Sequence, residues 1–394
     1  MTVRLYRTDP YLLEFEATVT ARRLYEGRQA VVLDQTAFYA ESGGQPWDTG
    51  SLSGVPVVAV IEHGGEVLHV LGAPLAVERV SGVVDAGRRQ DHRQQHHGQH
   101  LLSRAFVDVA NAATVSFHLG AEVSTIDLDR EVTGEQMAAA ETRANEVIWS
   151  ARPVRVKTMS RDEAVGLGIS VPSEAKGEIR IVEAEGFDVQ PCGGTHPRNT
   201  AEVGVVLVAG SEKYKGGTRV RFLCGHRAVA AFRAGRAALD RLGLLFSAPL
   251  SGLSEAAART VAQLDELVRR NRDLHERALD GEARRLFATA SSSPPVIVGV
   301  YDGWPPADLR TLALRLVALG PCVALLGSRG DKAYVTLAQA DSVGHDLPAL
   351  LQEALRELGG KGGGRGNLVQ GAGERAEALA PLLERLAASL RPPA

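Results

Sequence analysis

Over the first 88 residues, hydrophobic positions alternate with polar ones in short stretches, the pattern of half-buried β-strands. Residues 13–19 alternate over their whole length, and further apolar runs follow at 30–33, 57–60 and 66–70. Glycine pairs such as Gly43-Gly44 separate these runs where tight turns are expected. We therefore predict that residues 1–88 form a small β-barrel.

Between residues 89 and 224 the spacing of apolar residues changes from region to region, which predicts a mixed α/β domain. The run that follows His100 is apolar at helical spacing. Thr133, with a glutamine three residues later, is the signature of a capping box, so a helix is predicted from there through Trp149. Alternating segments around residues 115–128, 179–182 and 203–208 predict strands, which gives a two-layer arrangement of helices and sheet.

The next region, 225–292, is rich in alanine and arginine and is predicted to be helical. Apolar residues recur there at alternating intervals of three and four, with Asn271 as a polar interruption of the kind that fixes register. The stripe consists of Leu250, Leu253, Ala257, Thr260, Leu264, Leu267, Asn271, Leu274 and Ala278. Two arrangements remain open for this linker, a helical hairpin within one chain and an intermolecular coiled coil.

After the Ser/Pro-rich segment 291–295, apolar runs of strand length alternate with helical segments up to the end of the chain. Buried strands are predicted at 296–300, 322–326 and 333–337, and helices at 308–319, 348–358 and 373–390. Residues 293–394 are thus predicted to form a compact α/β domain. The fold class expected for the whole chain is α+β.

Composition restricts the function in two ways. The 3 cysteines cannot form a disulfide framework, and no apolar run reaches the ~20 residues of a membrane span, so a cytoplasmic protein without membrane contact is expected. The net charge of −3 argues against indiscriminate binding of nucleic acid, and any RNA contact must come from local basic patches.

Two short motifs carry the chemistry. His96 and His100 are four residues apart in a predicted helix, so both imidazoles lie on one face. Cys192 and His196 repeat this gap, with two glycines between them that allow the backbone to bend around an ion. Three imidazoles and one thiolate suit zinc, and we predict a Zn(II) site. His97 faces another side of the helix and is predicted to be a bystander.

These motifs, HHGQHLLSRAF at 96–106 and CGGTH at 192–196, resemble the editing domain of alanyl-tRNA synthetases and of their free-standing relatives, the AlaX proteins. The segment TAFYAESGGQP at 36–46 resembles the glycine-rich motif that precedes that domain. The run GGKGGGRGN at 359–367 resembles the glycine-rich end of the DHH-associated RNA-binding domain. Together the resemblances cover nearly the whole chain in the family's order.

The resemblance implies hydrolysis of the ester that joins a wrong amino acid, above all serine, to alanine tRNA. A pocket for alanine rejects serine poorly, so a second site must remove the error. Thr36 and Gln99 are our candidates for the group that reads the serine hydroxyl. Zinc either activates water or positions the substrate, although four protein ligands are more typical of a structural site. Glu41, Asp188 and His118 are polar residues whose participation the sequence leaves open.

For the C-terminal domain the resemblance implies tRNA binding. We expect Lys361 and Arg365, on a flexible exposed loop, to contact the phosphates of mischarged tRNA(Ala), and residues 225–394 offer a route to a homodimer. The 88 residues ahead of the editing motifs are too few for an activation domain, so no aminoacylation is expected. Two alternatives stay open: a deacylase for another mischarged tRNA, including Gly-tRNA(Ala), or a non-catalytic tRNA-binding or dimerisation protein with structural zinc.

Overall fold

The computed structural model describes residues 2–169, 171, 177–291 and 293–391. The chain divides into two compact units, Met1–Leu242 and Gly243–Ala394. Both units contain helices and strands, which confirms the mixed secondary structure expected of an α+β protein. The domain limits at 88, 224 and 292 stay predictions; Ser292, in the predicted linker, and residues 392–394 lie outside the described part.

The N-terminal third of the first unit is built from strands. They are β1 (Val3–Arg4), β2 (Glu14–Tyr25), β3 (Arg28–Leu33), β4 (Gln35–Thr36), β5 (Gly50–Leu52), β6 (Val55–His63), β7 (Glu66–Leu71) and β8 (Arg79–Val84). Six of them close into a barrel in the order β2-β3-β7-β6-β5-β8, while β1 pairs in parallel with β4. The alternation in β2 explains the closure, because Phe15, Ala17 and Val19 point into the barrel and the residues between them are exposed.

The rest of the first unit packs helices against sheets. Its elements are α1 (Ala86–Ala110), β9 (Thr114–Leu119), β10 (Ser124–Leu128), α2 (Gly134–Trp149), β11 (Val154–Ser160), α3 (Arg161–Gly166), β12 (Glu178–Ala184), β13 (Asp188–Pro191), β14 (Val206–Tyr214), β15 (Gly217–Cys224) and α4 (Gly225–Phe246). One sheet has the order β14-β15-β10-β9 and another the order β11-β12-β13. Helix α4 runs across the limit between the two units.

Helix α1 begins where the side chain of Asp85 accepts the backbone N–H of Arg88, and it ends at Asn111 in the left-handed conformation, with φ of 49°. From Gln94 to Leu102 every residue of this helix is buried, so it is enclosed on all sides. The predicted capping box of α2 is confirmed, since Thr133 and Gln136 exchange both hydrogen bonds.

The second unit contains α5 (Leu253–Thr289), β16 (Val296–Asp302), α6 (Pro306–Leu319), β17 (Val323–Arg329), β18 (Ala333–Gln339), α7 (Leu347–Leu358), β19 (Lys361–Arg365), β20 (Leu368–Gly373) and α8 (Leu379–Leu390). Its sheet has the order β16-β17-β18-β20-β19, and only the first pair is parallel. Buried leucines of α6, α7 and α8 pack on this sheet. Among the described residues, no helix combines the length and the apolar character needed to cross a bilayer.

Three local predictions for this region concern the glycine-rich segment, the start of the last helix and the apolar stripe along α5. The glycine-rich segment predicted as a flexible loop is a strand, β19, because its small residues let it lie flush against β20: a Cβ on Gly362 would be 2.4 Å from the Gln370 carbonyl oxygen. The last helix begins at Leu379, not at Gly373, which belongs to β20. Residues of the predicted apolar stripe such as Leu264 and Leu274 are exposed along α5. The choice between a helical hairpin and an intermolecular coiled coil therefore stays a prediction.

Candidate metal centre

Four side chains from two separate segments converge beside the barrel. Helix α1 supplies His96 and His100, and the loop after β13 supplies Cys192 and His196. One ligand atom from each residue lies within 4.8 Å of the others. The Cys192 Sγ is 3.3 Å from His96 Nε2 and 3.1 Å from His196 Nε2. The structure thus brings together all four residues that the spacing singles out.

The loop 192–196 is held in shape by a guanidinium and by a close approach. Arg180 Nη1 donates to the carbonyl oxygens of Cys192 and Gly194 at 2.7 and 3.0 Å. A Cβ on Gly194 would lie 2.1 Å from Cε1 of His96, whereas one on Gly193 would meet nothing within 4 Å. Glycine is therefore required at 194 because the His96 ring packs against the backbone, and not because of a left-handed turn.

Gln45, in the glycine-rich motif of the barrel region, holds His96 and the loop together. Its Oε1 accepts from His96 Nδ1 at 2.7 Å and from the backbone N–H of Thr195 at 3.0 Å. Its Nε2 donates to the Thr195 hydroxyl at 2.9 Å. The spacing of histidine and cysteine does not reveal Gln45, although its place in the glycine-rich motif at 36–46 is a signal. With Nδ1 of His96 occupied, Nε2 is left to face the cluster.

Asp188 lies next to Nδ1 of His100, as Gln45 lies next to Nδ1 of His96. Its carboxylate lies 3.3 Å from His100 Nδ1 and accepts from Gln190 Nε2 at 2.8 Å, and the same Gln190 Nε2 lies 2.8 Å from His100 Nδ1. A carboxylate behind a histidine ligand fixes the orientation of the ring and raises its basicity.

His97 is not one of the four cluster residues, but the expectation that it points away from them is wrong. It is 1% exposed, and its Nδ1 lies 3.1 Å from Nδ1 of His196, with the two rings nearly perpendicular at 83°. The helical face that was expected to point away from the site is itself buried against the loop of residues 192–196. Burial and the neighbouring histidines hold the pKa of His97 well below its usual value, so its ring is neutral.

The cluster has the electrostatics of a thiolate among imidazoles. Burial raises the pKa of Cys192, but the surrounding His96, His196 and His100 lower it well below its usual value. Burial lowers the pKa of His196 to about 3. For His100 burial acts in the same direction, but Cys192 and Asp188 outweigh it and raise the pKa to about 9. A lowered pKa favours the thiolate of Cys192, which is the form that binds soft divalent cations.

The cluster opens into a cavity of about 210 Å³. It is lined by Tyr39, Ser42, Gly43, His96, Gln99, His100, Phe117, Gln190, Pro191, Cys192, Gly193 and Gly194. A larger groove of about 540 Å³ shares Gln190 and Pro191 with it. Among the described residues, no carboxylate lines the smaller cavity.

Gln99 presents one free polar atom. Its Nε2 donates to the Ser103 hydroxyl at 2.8 Å, and that hydroxyl is in turn bonded to Thr114. Its Oε1 is buried and has no hydrogen-bond partner among the described residues. In this orientation of the amide, with Nε2 bonded to Ser103, the Oε1 is an acceptor available to a bound molecule.

The other candidates lie elsewhere. Thr36 is fully buried: its Oγ1 is 2.8 Å from His69 Nε2 and accepts the backbone N–H of Phe38, and it is absent from the residues that line the cavity. Glu41 and His118 are exposed and outside that lining. In the second unit, Lys361 and Arg365 are exposed at the two ends of β19.

The donor set fits a zinc ion. Tetrahedral zinc with one thiolate and imidazoles places sulfur and nitrogen about 3.5 Å apart, close to the two separations between Cys192 and its histidines. The contacts at Nδ1 of His96 and of His196 leave the Nε2 of each ring free for an ion, and Asp188 and Gln190 lie at the Nδ1 of His100.

Two regions of this chain match known protein families. Residues 179–221 match the threonyl and alanyl tRNA synthetase second additional domain, and residues 293–391 match the DHHA1 domain. The chain is 31% identical over 390 residues to alanyl-tRNA editing protein AlaX-L of Pyrococcus horikoshii, covering 94% of both chains. This chain belongs to the AlaX-L family of alanyl-tRNA editing proteins.

Two further relatives show how the AlaX-L architecture recurs. Alanine–tRNA ligase of Methanoculleus marisnigri is 33% identical over 398 residues, which are 97% of this chain but 43% of the ligase. Alanyl-tRNA editing protein Aarsd1-B of Xenopus laevis is 37% identical over 203 residues, about half of each chain. The AlaX-L region thus occurs as part of longer ligases as well as in editing proteins.

Proposed function

We propose that this AlaX-L protein hydrolyses the ester of mischarged Ser-tRNA(Ala) at a zinc ion held by His96, His100, Cys192 and His196. The observation that carries the proposal is the pairing of this cluster with the free Oε1 of Gln99 in one cavity. Membership of an alanyl-tRNA editing family supports the reaction class. The cavity supplies what an editing site needs, which is a candidate centre for hydrolysis and a group that senses a hydroxyl.

A zinc ion bound here supplies Lewis acidity for the ester and for water. The protein's own residues orient the site: Gln45, Asp188 and His97 fix the three rings, and Arg180 fixes the loop. The adjoining groove of about 540 Å³ leaves room for the nucleotide attached to an ester seated at the cluster.

Gln99 is the better supported of the two candidate readers of the serine hydroxyl. Its free Oε1 accepts a hydrogen bond from serine, whereas alanine has no hydroxyl and leaves this buried acceptor unpaired. That difference is worth about 1–3 kcal/mol, roughly a factor of 5 to 150 in rate. Thr36 remains a candidate, but its hydroxyl must first leave His69 and the Phe38 amide.

The second unit is proposed to bind the tRNA. Support comes from its match to the DHHA1 domain and from the exposed cations Lys361 and Arg365 on an edge strand, where phosphates have free access. We also propose dimerisation through residues 225–394, which the exposed apolar side chains of α5 support. We further propose that the protein acts in the cytoplasm on tRNA charged by another enzyme.

Four protein ligands also suit a structural zinc in a non-catalytic tRNA-binding protein, which is the second candidate. The Cys192→Ala variant separates the two. A folded variant that has lost deacylation supports the catalytic site, whereas loss of the fold supports structural zinc.

The proposal is tested by measuring release of amino acid from Ser-tRNA(Ala), Gly-tRNA(Ala) and Ala-tRNA(Ala) by the full chain. We expect serine to be released fastest and alanine to be spared. Gln99→Met keeps the length of the side chain but removes the acceptor, so serine should lose its advantage. Gln94→Met is the control, since Gln94 lies on the same helix but bonds to Glu202 and His226. Equal rates for serine and alanine with the unaltered protein would contradict the proposal.

A further inference from the structure

His97 lies directly behind one of the four cluster residues. In His196 the Nε2 faces the Cys192 Sγ at 3.1 Å, so the Nδ1 is directed away from the cluster. That Nδ1 lies 3.1 Å from Nδ1 of His97. Two nitrogens at this distance share a proton in a hydrogen bond, and one of them must donate.

The direction of this hydrogen bond follows from the chemistry of a ligand. A neutral imidazole that offers its Nε2 lone pair to a cation carries its proton on Nδ1. His196 is then the donor and His97 Nδ1 the acceptor. His97 must carry its own proton on Nε2, which is buried and has no partner among the described residues.

An unpartnered buried N–H costs about 1–3 kcal/mol, and an aliphatic side chain of similar volume would avoid that cost. The sequence nevertheless has a histidine here, at a position from which its other nitrogen reaches His196 Nδ1. His96 and His100 have their own partners at Nδ1, namely Gln45 and Asp188. His97 supplies the contact that His196 otherwise lacks.

We infer that His97 is a positioning residue, whose Nδ1 accepts the proton of His196 Nδ1 and so fixes the ring that offers Nε2 to the metal. The inference rests on the metal binding proposed above. Hydrogen bonds of this kind to a ligand typically change metal affinity by about 10- to 100-fold.

The test measures Zn(II) affinity of the full chain by competition with a chromogenic chelator, together with the visible absorption of the Co(II)-loaded protein. His97→Leu removes the acceptor and should lower Zn(II) affinity about 10- to 100-fold and alter the Co(II) bands. His97→Asn places an oxygen near the position of Nδ1 and should retain most of the affinity. His97→Gln reaches the position of Nε2 instead and should behave like leucine.

The control is His92→Leu, because His92 is a buried histidine of the same helix that is not part of the cluster. It should leave the Co(II) spectrum unchanged. If His97→Leu does not fold, the Zn(II) affinities of His97→Asn and His97→Gln are compared instead, and that comparison decides. If the unaltered protein binds Zn(II) tightly and His97→Leu or His97→Gln binds it equally tightly, the role of His97 is overturned but the metal site is not. Failure of the unaltered protein to bind Zn(II) would overturn the metal site as well.

Discussion

Gln45 Oε1 lies 2.7 Å from His96 Nδ1, although the two residues are 51 positions apart and belong to the barrel region and to helix α1. The same glutamine makes two hydrogen bonds to Thr195, in the loop that supplies Cys192 and His196. One fully buried side chain therefore connects the barrel region to both halves of the candidate metal site.

Replacing Gln45 with leucine should weaken metal binding without unfolding the barrel. The variant leaves the Nδ1 proton of His96 and the Thr195 amide unpaired, and we expect Zn(II) affinity to fall about 10- to 100-fold. Competition with a chelator measures this. Gln29→Leu is a control within the barrel, because the Gln29 side chain bonds to the Leu75 backbone. Unchanged affinity in Gln45→Leu would show that His96 needs no support from the barrel.

The two glycines of the loop should differ sharply in their tolerance of a methyl group. Gly194→Ala places a Cβ 2.1 Å from the His96 ring, so the ring or the loop must shift and metal binding should be lost or strongly weakened. Gly193→Ala meets nothing within 4 Å and should bind metal like the unaltered protein. Titration with Co(II), followed by absorption, compares the pair. Equal losses in both variants would mean that the loop is sensitive to any substitution.

The spacing of histidine and cysteine predicted the four cluster residues because these residues depend on local periodicity. One turn of helix brings His96 and His100 to one face, and the loop of residues 192–196 packs against that face. The capping box at Thr133 was predictable for the same reason, since both of its hydrogen bonds are local. Patterns within a few residues thus identified the four cluster residues and the capped start of α2.

Contacts between distant segments could not be predicted in this way. His97 and His196 are 99 positions apart, and the usual rule that one face of a helix points to solvent fails for α1, which is buried all round from Gln94 to Leu102. Strand β19 was predicted as a loop because glycine has a low strand propensity, whereas its backbone pairing with β20 decides the structure. Tertiary packing overrides the local pattern in both cases.

A buried ion pair between the barrel region and α1 should matter greatly for stability. Arg89 and Asp48 are both fully buried, with Nη2 and Oδ2 2.5 Å apart. Asp48→Ala leaves the guanidinium without its counter-charge and should lower the free energy of unfolding by about 3–5 kcal/mol, measured by urea denaturation. The control is Glu66→Ala, which breaks the exposed pair with Arg23 and should cost at most about 1 kcal/mol. Similar losses in the two variants would contradict this account.

His69 should make the barrel sensitive to acid. Burial lowers its pKa from 6.5 in the unfolded chain to about 4. The folded state therefore binds fewer protons than the unfolded state between these values. The contribution of neutral His69 to the free energy of unfolding is complete above about pH 6.5. It is lost as the pH falls towards 4, and the loss is on the order of 3 kcal/mol.

The measurement is the free energy of unfolding against pH for the unaltered protein and for His69→Phe. The variant loses the hydrogen bond to Thr36 and starts from a lower stability, so the slope is the quantity compared. We expect a shallower slope between pH 6.5 and 4 in the variant. Parallel curves would show that His69 is not responsible for the loss.

The most direct test of the central claim is deacylation of Ser-tRNA(Ala) and Ala-tRNA(Ala) by protein stripped of metal with a chelator and then supplied with one equivalent of Zn(II). We predict that the stripped protein releases neither amino acid and that zinc restores rapid release of serine while alanine is spared. Release of serine at an undiminished rate by the stripped, still folded protein would contradict a zinc-dependent editing site at His96, His100, Cys192 and His196.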